Sequence, residues 1–280
     1  MKIFCNMILA IALFAALAAQ ADAAPEIVAS TAHIQEVVQR VNGGAPVQTL
    51  IPPAMCPGHY DVRPGDIARL RRGGVLLIHD WQREMQNIRS VVSAAGLPDA
   101  RLRVVPVTEN WMIPSAREAA SAAVARILTE LIPEQAEQIA IRDEAYRESI
   151  RAHGEAMRTR LQSAGVSDIH VMCDGIIEGL LAWMGFQVIA TYGRSEDMGA
   201  ASMVQLVGAG REKQVALVVD NLQSSGARLG PAIARDIGAE YVVISNFPGG
   251  FDGAPTWEAT LNRNVQLLTE AADRWRARHE

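Results

Sequence analysis

A chain of 280 residues with a net charge of −5 and one charged residue in five has room for one large or two medium domains. It carries no basic stripe, so nucleic acid is excluded as a partner. Three cysteines in this length are not a disulfide framework, because the core is large enough without one.

The chain opens like an export signal. Lys2 supplies the positive start, Met7 to Ala19 is apolar but too short for a comfortable span, and Ala21-Asp22-Ala23 fits a small-x-small cleavage site. Cys5 lies too early for a lipoprotein site. Cleavage leaves a mature chain from Ala24 with two thiols, Cys56 and Cys173.

Beyond the signal, short β-like runs alternate with helical patterns. Strands are predicted at 26–30, 47–51, 75–79 and 103–107, and again at 168–172, 187–191, 215–219 and 240–245. Helical spacing joins Ile34, Val37, Val38 and Val41, then Trp81, Met85, Ile88 and Val92. Later helices are expected over 175–184, 199–209 and 226–237. A closing helix after Thr256 sets Trp257, Leu261, Val265, Leu268 and Trp275 on one stripe. Continuous apolar strands alternating with helices predict parallel sheets covered on both faces.

Between the two halves, Ser115-Ala116-Arg117-Glu118 reads as a capping box that starts an alanine-rich helix, which Pro133 interrupts. A second run then places Ile139, Tyr146, Ile150, Met157 and Leu161 on one face. About thirty helical residues span ~45 Å, long enough to serve both halves. The expected α/β architecture is two four-stranded parallel-sheet lobes joined by one long helix, with a ligand in the crevice between them. The expected division is a signal peptide at 1–23, an N-terminal lobe at 24–133, a connecting helix at 134–163 and a C-terminal lobe at 164–280.

Ligands of such folds bind beyond the carboxyl ends of the strands. Those positions hold Cys56 and His59, His79, Glu109, and Cys173 beside Asp174. Thiolate and imidazole suit zinc, and thiolate also suits copper(I). Cys56 and His59 form a C-x-x-H pair that can chelate one ion from a tight turn. His33 sits at the first strand–helix turn, His153 on the long helix, His170 in a strand and His279 in the tail. No catalytic triad, phosphate-cradling glycine loop or carboxylate pair stands out, so no catalytic residue is assigned.

These pieces resemble the periplasmic metal receptors of zinc and manganese ABC importers over nearly the whole mature chain. Leu50-Ile51-Pro52-Pro53 with His59-Tyr60-Asp61 and Pro64-Gly65-Asp66 is similar to the family's V-P-P…H-x-Y-E-x-x-P-x-D segment. Glu109-Asn110-Trp111-Met112-Ile113-Pro114 resembles H-V-W-x-D-P, and Cys173-Asp174-Gly175 resembles H-D-A. Leu217 to Asn221 resembles F-V-E-P. The resemblance implies a monomeric solute-binding protein, not an enzyme, that captures a transition metal for an inner-membrane ABC permease. The ligand set departs from the family's. His59 lies one residue closer to Pro64 than the pattern places its histidine, Glu109 and Cys173 stand at two further histidine positions, and Ser245 or Asn246 replaces the aspartate. The expected set is His59, Glu109, Cys173, Cys56 and His79, with zinc as cargo and copper or manganese as alternatives. A metal chelate such as a siderophore or corrinoid, and an exported metal-dependent enzyme, are the competing readings.

Export is checked by mass spectrometry of the periplasmic fraction. The mature chain is expected to begin at Ala24, and a retained N-terminus would refute the cleavage site.

Overall fold

The computed structural model describes residues 25–194, 198–224 and 229–279; the signal-peptide reading lies outside them. Strands β1 (Ile27–Ala29), β2 (Gln48–Thr49), β3 (Val75–His79) and β4 (Leu102–Val105) form an all-parallel sheet in the order β2-β1-β3-β4. Strands β5 (His170–Asp174), β6 (Gln187–Tyr192), β7 (Leu217–Asn221) and β8 (Glu240–Ile244) repeat the pattern as β6-β5-β7-β8. The two-lobed α/β expectation is met.

Helices α1 (Ala32–Val41), α2 (Pro64–Arg71) and α3 (Gln86–Ala95) cover the first sheet. Helices α4 (Pro114–Leu131) and α5 (Ala136–Ser163) follow it, and α6 (Glu178–Trp183), α7 (Ala200–Glu212), α8 (Gly230–Ile237) and α9 (Trp257–His279) complete the second lobe. Among the described residues no helix is long and apolar enough to cross a membrane.

The period-two alternation of buried strands sets both sheet faces. In the first sheet Ile27, Ala29, Val75, Leu77 and Val105 face inward, while Val28, Leu76 and Ile78 face a second cluster with Leu70, Ile88 and Val91. In the second, Val171, Cys173, Leu217 and Val219 face inward, while Met172 and Val218 meet Ile233. The inward faces of both lobes belong to one continuous apolar cluster, threaded by α4, α5 and α9.

Helix α5 is the spine. At 1.5 Å per residue its 28 residues span about 42 Å. Ile139, Asp143, Tyr146, Ile150, Gly154, Met157 and Leu161 are buried along it, three or four residues apart, and it packs on α1, α4 and α9. Gly154 is where it crosses the start of α4: a Cβ there would stand 2.6 Å from Pro114 Cγ, so only glycine permits the approach.

Three local expectations are corrected. Helix α4 begins at Pro114, whose missing N–H costs nothing at a first helical position, so Ser115 does not cap it; Glu118 instead accepts from Arg151 (2.7 Å). Trp81 lies in a 3₁₀ turn before α3, off the helical stripe, and is 45 % exposed. Strands β5 and β7 run two residues further than predicted, to Asp174 and Asn221, because Cys173, Asp220 and Asn221 remain paired in the ladder.

The lobes are pinned by a buried ion pair. Arg117 on α4 is fully buried and donates to Glu36 Oε2 on α1 (2.8 Å) and to Tyr146 Oη on α5 (3.0 Å). The same carboxylate accepts the Trp257 backbone N–H (2.9 Å) and so caps α9, where a negative charge is favoured at a helix N-terminus. Removing one member of a buried pair strands the other. Glu36→Ala is expected to cost roughly 3–5 kcal/mol, read from urea unfolding, with Glu36→Leu/Arg117→Met recovering most of it. An unchanged midpoint in Glu36→Ala would refute this role.

Candidate functional site

The carboxyl ends of the two sheets face each other across the inter-lobe crevice. Amides and carbonyls bridge it. Gln223 Nε2 donates to the Pro53 carbonyl (2.8 Å), and Asn110 Nδ2 donates to Asn246 Oδ1 (2.7 Å). His33 Nε2 reaches the Asn246 carbonyl (2.8 Å). Gln223 also takes the Asn246 N–H on its Oε1 (2.8 Å), so the loops beyond β7 and β8 form one hydrogen-bonded unit.

His33 holds the floor. Arg117 can only donate, and its guanidinium lies 3.0 Å from His33 Nδ1, so that nitrogen accepts and the proton sits on Nε2. Burial first, then the charge of Arg117 and the neighbouring His79, push the His33 pKa well below its usual value. His79, at the end of β3, is only 2 % exposed. Its Nε2 lies 2.8 Å from Thr31 Oγ1, its Nδ1 has no hydrogen-bond partner among the described residues, and its ring packs against Trp81 and edge-on to Trp111. Burial, then Arg117, bring its pKa down to about 3.

The other expected donors separate into two groups. Cys56 and His59 stand together at the mouth: Cys56 precedes the one-turn 3₁₀ helix Pro57–His59, and its Sγ lies 3.4 Å from His59 Nδ1. This turn is stapled to the head of α3, where Asn87 Nδ2 donates to the carbonyls of Pro57 (2.7 Å) and Tyr60 (3.2 Å). Glu109 is exposed on the loop after β4. Cys173, by contrast, is fully buried inside β5 within the apolar cluster and is not joined to Cys56. Burial, then Glu178 and Asp174, push its thiol up to about 12, which opposes the thiolate a metal needs. The expectation of Cys173 at the mouth rested on ending β5 two residues early. Asp174 is also engaged: Oδ1 accepts from Ile176 N (2.8 Å) and Oδ2 from the Ser224 hydroxyl. Among the described residues, no three His, Cys, Asp or Glu side chains converge as a metal cluster.

Two residues that reach the mouth, Met85 and Arg194, were not assigned to it from the sequence. The position where the family pattern places its histidine is Gly58. A Cβ there would lie 3.8 Å from the Met85 terminal methyl, 3.9 Å from an Arg194 guanidinium nitrogen and 3.9 Å from Cys56 Sγ. The backbone spacing around His59 was the available signal, since it leaves the pattern's position without a side chain.

The neutral buried histidines make stability depend on pH. Their folded pKa values lie below the usual 6.5, that of His79 at about 3, so the unfolded chain binds more protons once pH falls below 6.5. Their stabilisation is complete above 6.5 and is lost as pH falls below it; for His79 the loss runs down to about 3 and approaches ~1.4 kcal/mol per pH unit. Urea unfolding of metal-free protein at pH 7 and pH 5 should show this loss, and His79→Gln should have a shallower pH slope. An unchanged slope would refute the assignment to His79.

The family model described as zinc-uptake complex component A, periplasmic (ZnuA), matches residues 27–271. No curated protein matches the chain. Among solved structures, the Mn-bound periplasmic metal binding protein of Candidatus Liberibacter asiaticus aligns with a TM-score of 0.71 at 16 % identity, over 88 % of this chain and 98 % of that one. The Cd-bound form of that protein gives 0.72 at the same identity and coverage. The SBP FpvC of P. aeruginosa in complex with Ni2+ gives 0.74 at 19 % identity, over 90 % and 98 %. At these identities the likeness is one of fold.

Proposed function

Because the chain belongs to the ZnuA family of periplasmic zinc-uptake components, we propose that it is a receptor, acting as a monomer, that captures a transition-metal ion in the inter-lobe crevice. Zinc is its first cargo, and an inner-membrane ABC permease receives it. The observation that carries this reading is the Cys56–His59 pair. In a tetrahedral zinc site a sulfur about 2.3 Å and a nitrogen about 2.0 Å from the ion lie roughly 3.5 Å apart. The two donor atoms stand 3.4 Å apart, from one turn held by Asn87. Glu109 is exposed on the loop after β4, while His79 is buried at the end of β3 and Cys173 lies in the apolar core.

Two side chains favour a second reading, in which the metal arrives within a small organic chelate. Trp81, 45 % exposed and stacked on His79, offers an aromatic face, and Arg194 a cation for an acidic chelator. Element analysis of gently purified protein separates the two, since a bare ion comes alone and a chelate brings an organic ligand.

Zinc titration against a competing chelator tests the site. Cys56→Ala and His59→Ala should each lower affinity by more than the ~10–100-fold typical of losing a supporting group. Affinity should also fall on acidification, because thiolate and neutral imidazole are the binding forms. Wild-type affinity in both variants would overturn the site.

A further inference from the structure

The mouth holds a second sulfur that a zinc site does not call for. Met85 is half-buried at the head of α3, with its backbone fixed there: its N–H donates to the Gln82 carbonyl (3.1 Å) and its own carbonyl accepts from Arg89 (3.0 Å). From that anchor the side chain packs on the first lobe's outer cluster and carries its terminal methyl to within 3.8 Å of the Cβ position of Gly58. Cys56 Sγ lies 3.9 Å from the same point, and His59 Nδ1 lies 3.4 Å from Cys56 Sγ. Asn87, two residues past Met85, ties the Cys56–His59 turn to this helix start, so the three donors share one rigid frame. A thioether on three rotatable bonds can swing to present its sulfur without moving that frame.

We propose that this turn also binds copper(I), with Met85 as a third donor beside Cys56 and His59. The proposal rests on the Cys56–His59 turn being the metal site, and it extends the cargo to a soft monovalent ion. The donor chemistry supports it: thiolate and thioether select copper(I), whereas thioether is not among the usual ligands of zinc and manganese prefers oxygen. Charge points the same way. An Arg194 guanidinium nitrogen lies 3.9 Å from the same Cβ position. A thiolate holding copper(I) is neutral, so the guanidinium does not oppose it.

The test is anaerobic titration of the mature chain with copper(I) against a coloured copper(I) chelator, and in parallel with zinc. Met85→Leu conserves volume and should fold. It is expected to weaken copper(I) binding at least tenfold while leaving zinc affinity within about twofold, and X-ray absorption of the copper(I) form should lose one of two sulfur scatterers. Copper(I) affinity unchanged in Met85→Leu, or a single sulfur in the wild type, would overturn the role of Met85 while Cys56→Ala still abolishes zinc binding. Loss of zinc and copper(I) affinity together in Met85→Leu would make Met85 a structural support of the turn and would also overturn the proposal. Wild-type affinity for both ions in Cys56→Ala and His59→Ala would instead remove the reading on which it rests.

Discussion

The architecture depends on a charge kept out of water. Arg117 is fully buried where α1, α4, α5 and α9 meet, and a guanidinium cannot give up its proton to escape the cost of burial. It is tolerable there only because its donors are used by Glu36, Tyr146 and His33. Each of these partners comes from an element outside α4. Glu36 passes the constraint on by capping α9, and His33 passes it on to the Asn246 carbonyl at the crevice floor. One ion pair therefore sets how the spine, the first lobe and the last helix meet, and hence how the two sets of strand ends face each other. Replacing such a pair by apolar groups can be neutral for stability, but breaking it cannot.

Most of the scaffold was legible because its signals are local. The stripe Ile139, Tyr146, Ile150, Met157, Leu161 defines α5 by spacing alone, and the structure buries all five. Short Val-, Ile- and Leu-rich runs between turn residues mark the strands. The site was harder to read because it depends on where strands stop. Cys173 lies at a strand end in either reading, but two more paired residues turn a crevice position into a core position, and no periodicity distinguishes them. Met85 was placed on a core face by helical spacing, and it does pack there. What spacing could not show is that its far end reaches the neighbourhood of Gly58. Cys56 and His59 were legible as neighbours because a separation of three positions in one turn brings their side chains together.

The crevice is closed by neutral groups. Gln223, Asn110 and Asn246 join the lobes through amide and carbonyl bonds, so the contact between the lobes is directional and little screened by salt. With a long helix packed on elements of both halves, large hinge opening is not what this geometry favours. Motion is more readily absorbed by breaking and remaking a few amide bonds at the mouth.

The Cys56–His59 turn lies wholly in one lobe, stapled by Asn87 to α3 of that same lobe. On the proposed reading, a guest seated on it would stay with the N-terminal half when the amide bonds to the other half are broken. Unloading would then be a lopsided event: one half would serve as the tray and the other as a cover, and whatever takes the guest would approach from the side the cover has left.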